Sequence, residues 1–184
     1  TSFDIGDLEH ELAALASHPH LKHLAFVVPL APGMREMARA AVAEGPPFDP
    51  RDTSNREALS VCEVAERFIQ LFYVEDNPRD GFMAWMHPDY IQHNPNAPTG
   101  RDATLAMMET SLARLPDLSH EVKRVVWGDA DLVAIHFHFK YEPDTRGYSV
   151  VDILRIDGGY IREHWDVIQE VPDPATAKNS NGMF

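Results

Sequence analysis

Only one cysteine, Cys62, occurs in the chain, so no disulfide can form within it and stability must come from packing. Its neighbours Val61, Val64, Ala65 and Phe68 fall at helical spacing. A thiol in that company reads as a small buried apolar group rather than a nucleophile. Basic residues are also scarce: 16 Lys and Arg stand against 29 Asp and Glu, a formal charge of −13. That field repels phosphate backbones and anionic lipid surfaces, and no local Lys/Arg cluster reverses it, which argues against nucleic-acid and membrane partners. Long apolar runs are missing too. The longest, residues 24–31, is interrupted by Pro29 and falls far short of the roughly 20 residues of a spanning helix. It also lacks the position of a signal peptide, so the chain reads as cytoplasmic. There is no Gly-x-Ser-x-Gly elbow, no phosphate-binding glycine loop and no dinucleotide fingerprint, and the pair Gly158-Gly159 sits in a hairpin turn. Covalent serine chemistry and nucleotide cofactors are thereby disfavoured.

What is present is ordinary globular composition, with 44% hydrophobic and 24% charged residues in 184, enough for one core plus an appended segment. Leu8, Leu12 and Leu15 recur at helical spacing, and a second short helix over 34–44 is stopped by Gly45-Pro46-Pro47. These pieces form a helical N-terminal extension, residues 1–50. The linker at 46–50 carries three prolines, which remove backbone donors and disfavour helix in the residues before them. The main domain is expected over 51–184.

Within it, residues 55–75 carry a broad apolar face (Leu59, Cys62, Val64, Ala65, Phe68, Ile69, Leu71, Phe72), as for a helix lying on a sheet. A short helix is predicted at 80–85. Another runs over 100–115, with Leu105, Met108, Leu112 and Leu115 inward and Pro116 at its end. After residue 117 the period changes to two, predicting strands near 119–127, 132–140, 147–156 and 160–169, with turns at Gly128-Asp129 and Asp157-Gly158-Gly159. Helices first and a four-strand meander last is an α+β order, in which helices pack on one face of an antiparallel sheet. The tail is polar until Met183-Phe184, an apolar pair suited to docking.

Alternation places His136 and His138 on one face of their strand, opposite Val133, Ile135, Phe137 and Phe139. In the last strand His164 and Asp166 share a face, with Glu163, Trp165 and Val167 on the other, and the preceding strand contributes Asp152. Antiparallel neighbours can gather His136, His138, Asp152, His164 and Asp166 in one concavity, with His93 completing it; alternation alone leaves open which face turns inward. Imidazole titrates near neutral pH, and a carboxylate partly desolvated by apolar neighbours rises towards it, so such a set suits proton transfer at a carbonyl compound. Structural pairing of these groups within the sheet is the competing reading. A metal reading draws on His136-Phe137-His138 with Glu142, part of a cupin pattern, and the later His164. A cupin, however, needs a double-sheet barrel, and the first 115 residues are mostly helical. His10, His18, His20 and His23 show no regular metal-ligand spacing and read as solvated.

Three segments carry a resemblance: Tyr90-Ile91-Gln92-His93-Asn94-Pro95, Asp152-Ile153-Leu154-Arg155, and Gly159-Tyr160-Ile161-Arg162-Glu163-His164-Trp165-Asp166-Val167. Together they resemble the SnoaL-like polyketide cyclases, in particular the predicted aldol-condensation branch, within the nuclear transport factor two-like superfamily. The resemblance covers residues 55–184 and implies a cone-shaped fold, a curved antiparallel sheet covered by helices around a deep pocket. It further implies a homodimer joined through the sheet and chemistry without a cofactor or metal. By that resemblance Asp166 and Asp152 are the acid/base candidates, and His93, His136, His138 and His164 orient groups or stabilise an oxyanion. Two features depart from the pattern: Gln169 stands where many relatives carry Asp, and the extension before Asn55 is longer than a minimal member needs.

The expectation is therefore a cofactor-independent lyase or isomerase acting on a carbonyl-bearing small molecule. A non-catalytic binding protein of the same fold and a His/carboxylate metalloenzyme are the alternatives.

Overall fold

Two helix starts are set by side chains that satisfy otherwise orphaned amides. In the computed structural model, which describes residues 49–128 and 131–184, Ser60 opens helix α1 (Val61–Ile69) with a reciprocal capping box. Its hydroxyl accepts from the Glu63 amide (3.3 Å), while the Glu63 carboxylate accepts from the Ser60 amide (2.9 Å). The helix continues into a wider π turn, Gln70–Val74. That turn buries three consecutive side chains, Leu71, Phe72 and Tyr73, where an α-helix would direct one of them to solvent. Asn77 then caps helix α2 (Pro78–Trp85), its side chain accepting from the Asp80 amide, with Pro78 at the first helical position, where its missing N–H costs nothing. The predicted helices over 7–16 and 34–44, most of the linker at 46–50, and Asp129 of the first turn lie outside the described residues.

Strand β1 (Met86–Gln92) follows α2 without a break. Helix α3 (Arg101–Arg114) comes next, burying Thr104 and Leu105. Strands β2 (Ser119–Trp127), β3 (Leu132–Lys140), β4 (Tyr148–Asp157) and β5 (Tyr160–Glu170) complete a five-stranded open sheet in the order β1-β5-β4-β3-β2. The meander β2–β5 is antiparallel as expected. The sheet as a whole is mixed, because β1 runs parallel to β5 at the edge. Pro88 conceals β1 from a reading of the sequence, and an edge strand is where proline is tolerated in a sheet.

One face of the sheet is dry. Val133, Ile135 and Phe137 of β3 and Val150, Leu154 and Ile156 of β4 are buried against Val64, Ala65, Phe68, Leu71, Phe82 and Trp85 of the helical layer. The Trp85 indole N–H donates to the Pro50 carbonyl (2.8 Å), tying the start of the Pro50–Phe184 unit to α2. Among the described residues no helix is long and apolar enough to cross a membrane.

Candidate active site

Sheet register decides which predicted residues meet. Across β3 and β4 the pairs are Ile135 with Asp152, His136 with Val151 and His138 with Ser149; across β4 and β5 they are Asp152 with Asp166 and Leu154 with His164. Directly opposed residues share a face. Asp152, His164 and Asp166 therefore lie on the dry face beneath the helices, with Ile135 and Phe137.

His136 and His138 lie on the opposite face, which corrects the expectation of one five-residue concavity. There His136 Nε2 meets the Ser149 hydroxyl (2.8 Å) and His138 Nε2 donates to the Arg146 carbonyl (2.7 Å). Phe184 packs against both imidazoles, its ring centroid 5.6 Å and 4.5 Å away, so the terminal apolar pair does contribute a docked ring. His93 is also turned from the cavity. It stacks flat on Trp165 at 4.5 Å and approaches Glu163 at 3.0 Å, and Glu163 in turn accepts from Arg155.

The cavity between helices and sheet encloses about 190 Å³. Five phenylalanines, Phe68, Phe72, Phe82, Phe137 and Phe139, contribute to its apolar wall, and a polar cluster lies against β1, β4 and β5. Within that cluster Asp152, only 8% exposed, accepts from the Tyr73 hydroxyl at one oxygen and from His164 Nε2 (3.2 Å) at the other. His164 Nδ1 donates to Gln92 Oε1 (2.9 Å). The Gln92 amide cannot be reversed without loss, because Oε1 also accepts from the Asn94 backbone amide (2.9 Å) and Nε2 donates to the Tyr90 hydroxyl (3.0 Å). Asn94 is fixed in the same way: its Oδ1 accepts from the Asn96 amide (2.8 Å), leaving Nδ2 to donate to Asp166 Oδ2 (2.6 Å).

These contacts set protonation. Both ring nitrogens of His164 face acceptors, which calls for the imidazolium. Burial opposes that charge, but the hydrogen bond to Asp152 and the charges of Asp152 and Asp166 outweigh it and hold the His164 pKa above its ordinary value. Burial, reinforced by Asp152, raises the pKa of both Tyr73 and Tyr90, so each keeps its hydroxyl hydrogen. Tyr73 spends that hydrogen on Asp152. Tyr90 receives one from Gln92, and its own hydrogen has no acceptor among the described residues.

Asp152, His164 and Asp166 each offer one ligand atom within 4.8 Å of the others, the group among the described residues with the spacing a metal ion needs. Both ring nitrogens of His164 face acceptors and carry hydrogens, so metal binding there requires a proton to leave. Neither His136 nor His138, the basis of the metal reading, belongs to it.

A reading of the sequence missed Tyr73, Tyr90, Gln92 and Asn94. The last three alternate along the β1 edge and its exit, on the face opposite His93; applying period two to that segment would have found them.

The family model described as a SnoaL-like domain matches residues 65–164, more than half of the chain. Among solved structures, an uncharacterized cystatin-fold protein from Novosphingobium aromaticivorans aligns over 60% of this chain and 99% of its own, at 18% identity and a TM-score of 0.50, a likeness of fold. A SnoaL-like polyketide cyclase from Agrobacterium tumefaciens aligns over 61% of this chain and 93% of its own (16% identity, TM-score 0.48). TsrD from Streptomyces laurentii aligns over 59% and 87% (24% identity, TM-score 0.46). No curated protein matches the chain.

Proposed function

The chain belongs to the SnoaL-like domain family, and we propose that it is a cofactor-independent lyase or isomerase that enolises a carbonyl-bearing small molecule, with Asp166 as the base. One observation carries this reading. Asp166 lines a largely apolar cavity with one oxygen held by Asn94, while its other oxygen has no partner among the described residues. A carboxylate oriented through one oxygen and open at the other can take a proton without first breaking a hydrogen bond.

The remaining cluster supplies what the reaction needs. Removing the hydrogen α to a carbonyl places negative charge on the carbonyl oxygen, and the Tyr90 hydroxyl has a hydrogen to give it. The imidazolium of His164, locked between Asp152 and Gln92, is a positioning residue whose charge lowers the cost of an anion nearby. Asp152 and Tyr73 hold it. The enolate then either attacks a second carbonyl, an aldol closure, or regains the proton from Asp166 at another carbon, an isomerisation. In both outcomes the proton returns and the enzyme is restored. An aromatic wall favours a flat substrate that buries its rings.

The test is α-proton exchange into heavy water, followed by proton NMR, for aromatic methyl ketones and β-diketones with the wild type and Asp166→Asn. We expect the wild type to accelerate exchange and the variant to lose about 10²–10⁴-fold of that acceleration. Equal rates for the two proteins, or no acceleration of any compound by the wild type, overturn the proposal.

A further inference from the structure

A second carboxylate–imidazole pair borders the same cavity, away from the first. The helical segment ending at Val74 closes with the Asn77 amide bonded to the Leu71 carbonyl and the Glu75 amide to the Gln70 carbonyl, both 2.9 Å. This closure places residue 76 in the left-handed region that glycine ordinarily fills. Here it is Asp76, with φ of 49°, and its carboxylate lies 3.2 Å from Nδ1 of His120 on β2. The imidazole, its side chain only 9% exposed, sits among the rings of Phe72, Tyr73, Phe137 and Phe139, with centroids 5.3–5.8 Å away. It lines the cavity, and its second nitrogen, Nε2, has no hydrogen-bond partner among the described residues.

We propose that His120, oriented by Asp76, is a ligand-binding group of this cavity that accepts the hydrogen of a phenol or enol hydroxyl. The inference rests on reading the cavity as the substrate site, and it adds a substrate class: ring-bearing carbonyl compounds that also carry a hydroxyl. With Nδ1–H committed to Asp76, a neutral imidazole keeps its lone pair on Nε2. Burial holds the His120 pKa below its ordinary value although Asp76 acts against it, which favours that neutral form. An acceptor left unpaired in an aromatic wall is costly when dry, and a hydroxyl on the ligand relieves that cost. β2 and β5 are three strand spacings apart, roughly 14 Å along the sheet at about 4.8 Å each. The hydroxyl and the carbon that meets Asp166 therefore belong to opposite ends of an elongated ligand.

Two probes with the same ring system decide the matter, 2-naphthol, which can donate, and 2-methoxynaphthalene, whose methylated oxygen cannot. Affinities are measured by titration, and the ring nitrogens of the histidine-labelled protein are followed by NMR. The wild type is expected to prefer 2-naphthol by about tenfold, the worth of one hydrogen bond near 1.4 kcal/mol, and naphthol is expected to shift the His120 Nε2 signal. His120→Phe, which keeps a ring in the aromatic nest, is expected to bind both probes alike. Asp76→Ala, which leaves the imidazole but frees its orientation, is expected to reduce the preference. Equal affinities in the wild type, no binding of either probe, or a preference that survives in His120→Phe overturns the inference. Asp166→Asn is expected to keep the preference. If wild-type exchange fails while the preference holds, the enolisation reading falls and the His120 contact stands.

Discussion

Asp152→Asn separates a buried ion pair from mere polar packing. In the native protein the carboxylate receives Tyr73 O–H and His164 N–H, with both members of the ion pair 12% exposed at the side chain. An amide offers one oxygen and one NH2 group, so one of the two donors meets another donor, and the imidazolium loses its partner. Breaking a pair this deeply buried costs about 3–5 kcal/mol, which for a chain of this size lowers Tm by about 10 °C. The pH dependence follows from the direction of the His164 shift. Its folded-state pKa lies above the unfolded value of about 6.5. The associated stability is therefore fully present below that unfolded value and is lost as pH rises through the folded one. The deficit of Asp152→Asn is accordingly largest near pH 6 and shrinks by pH 9. Urea unfolding at the two pH values measures it, and an NMR titration of His164 gives the companion result. The His164 pKa falls in the variant, because burial then opposes the charge with only Asp166 to support it. A deficit equal at both pH values, or a His164 titration unchanged by the substitution, would refute the ion-pair reasoning.

Asn94→Ala removes the donor that orients Asp166; α-proton exchange is expected to fall about tenfold, the worth of one charge-assisted hydrogen bond, and an unchanged rate would show that Asp166 needs no such support. The double substitution of His136 and His138 by Ala, on the face away from the cavity, is expected to leave exchange within about twofold of wild type, although Phe184 loses its ring contacts; a loss resembling that of Asp166→Asn would put the chemistry on the other face. That outer face exposes Ile91, Val126 and Val167, the last at 64%, and we propose that a second copy covers it. Val167→Glu is then expected to sediment as a monomer where the wild type is a dimer, and a monomeric wild type would contradict the proposal.

The elements with the plainest periodicity were legible: β2 and β3 fall at the predicted residues, and the helices expected at 80–85 and 100–115 are found at Pro78–Trp85 and Arg101–Arg114, whereas the one expected over 55–75 starts only at Val61. What escaped the sequence has specific causes. β1 carries Pro88 and pairs parallel with β5, so no hairpin turn announces it. Tyr73 reaches the cavity through a π turn, which the 3.6-residue period does not anticipate. Gln92 and Asn94 do not titrate, so a search led by acid–base chemistry settles on His93 between them, whose side chain faces the other way.

The division of the histidines is a matter of register across a link that no tight-turn rule governs. Between Phe139 and Tyr148, which face each other, lies a long connection, and a one-residue change there would exchange every face. The β4–β5 hairpin makes the same point. Its turn pairs Asp157 with Tyr160 and Ile156 with Ile161, a register that, extended unchanged, would set Asp152 opposite Trp165. The irregularity after Ile156 instead pairs Arg155 with Glu163, and from there Asp152 falls opposite Asp166. One extra residue in β5 thus turns His164 and Asp166 inward and sends Glu163 and Trp165 out to meet His93. The cavity owes its carboxylate pair to that bulge, a feature set by strand pairing that side-chain alternation cannot reveal.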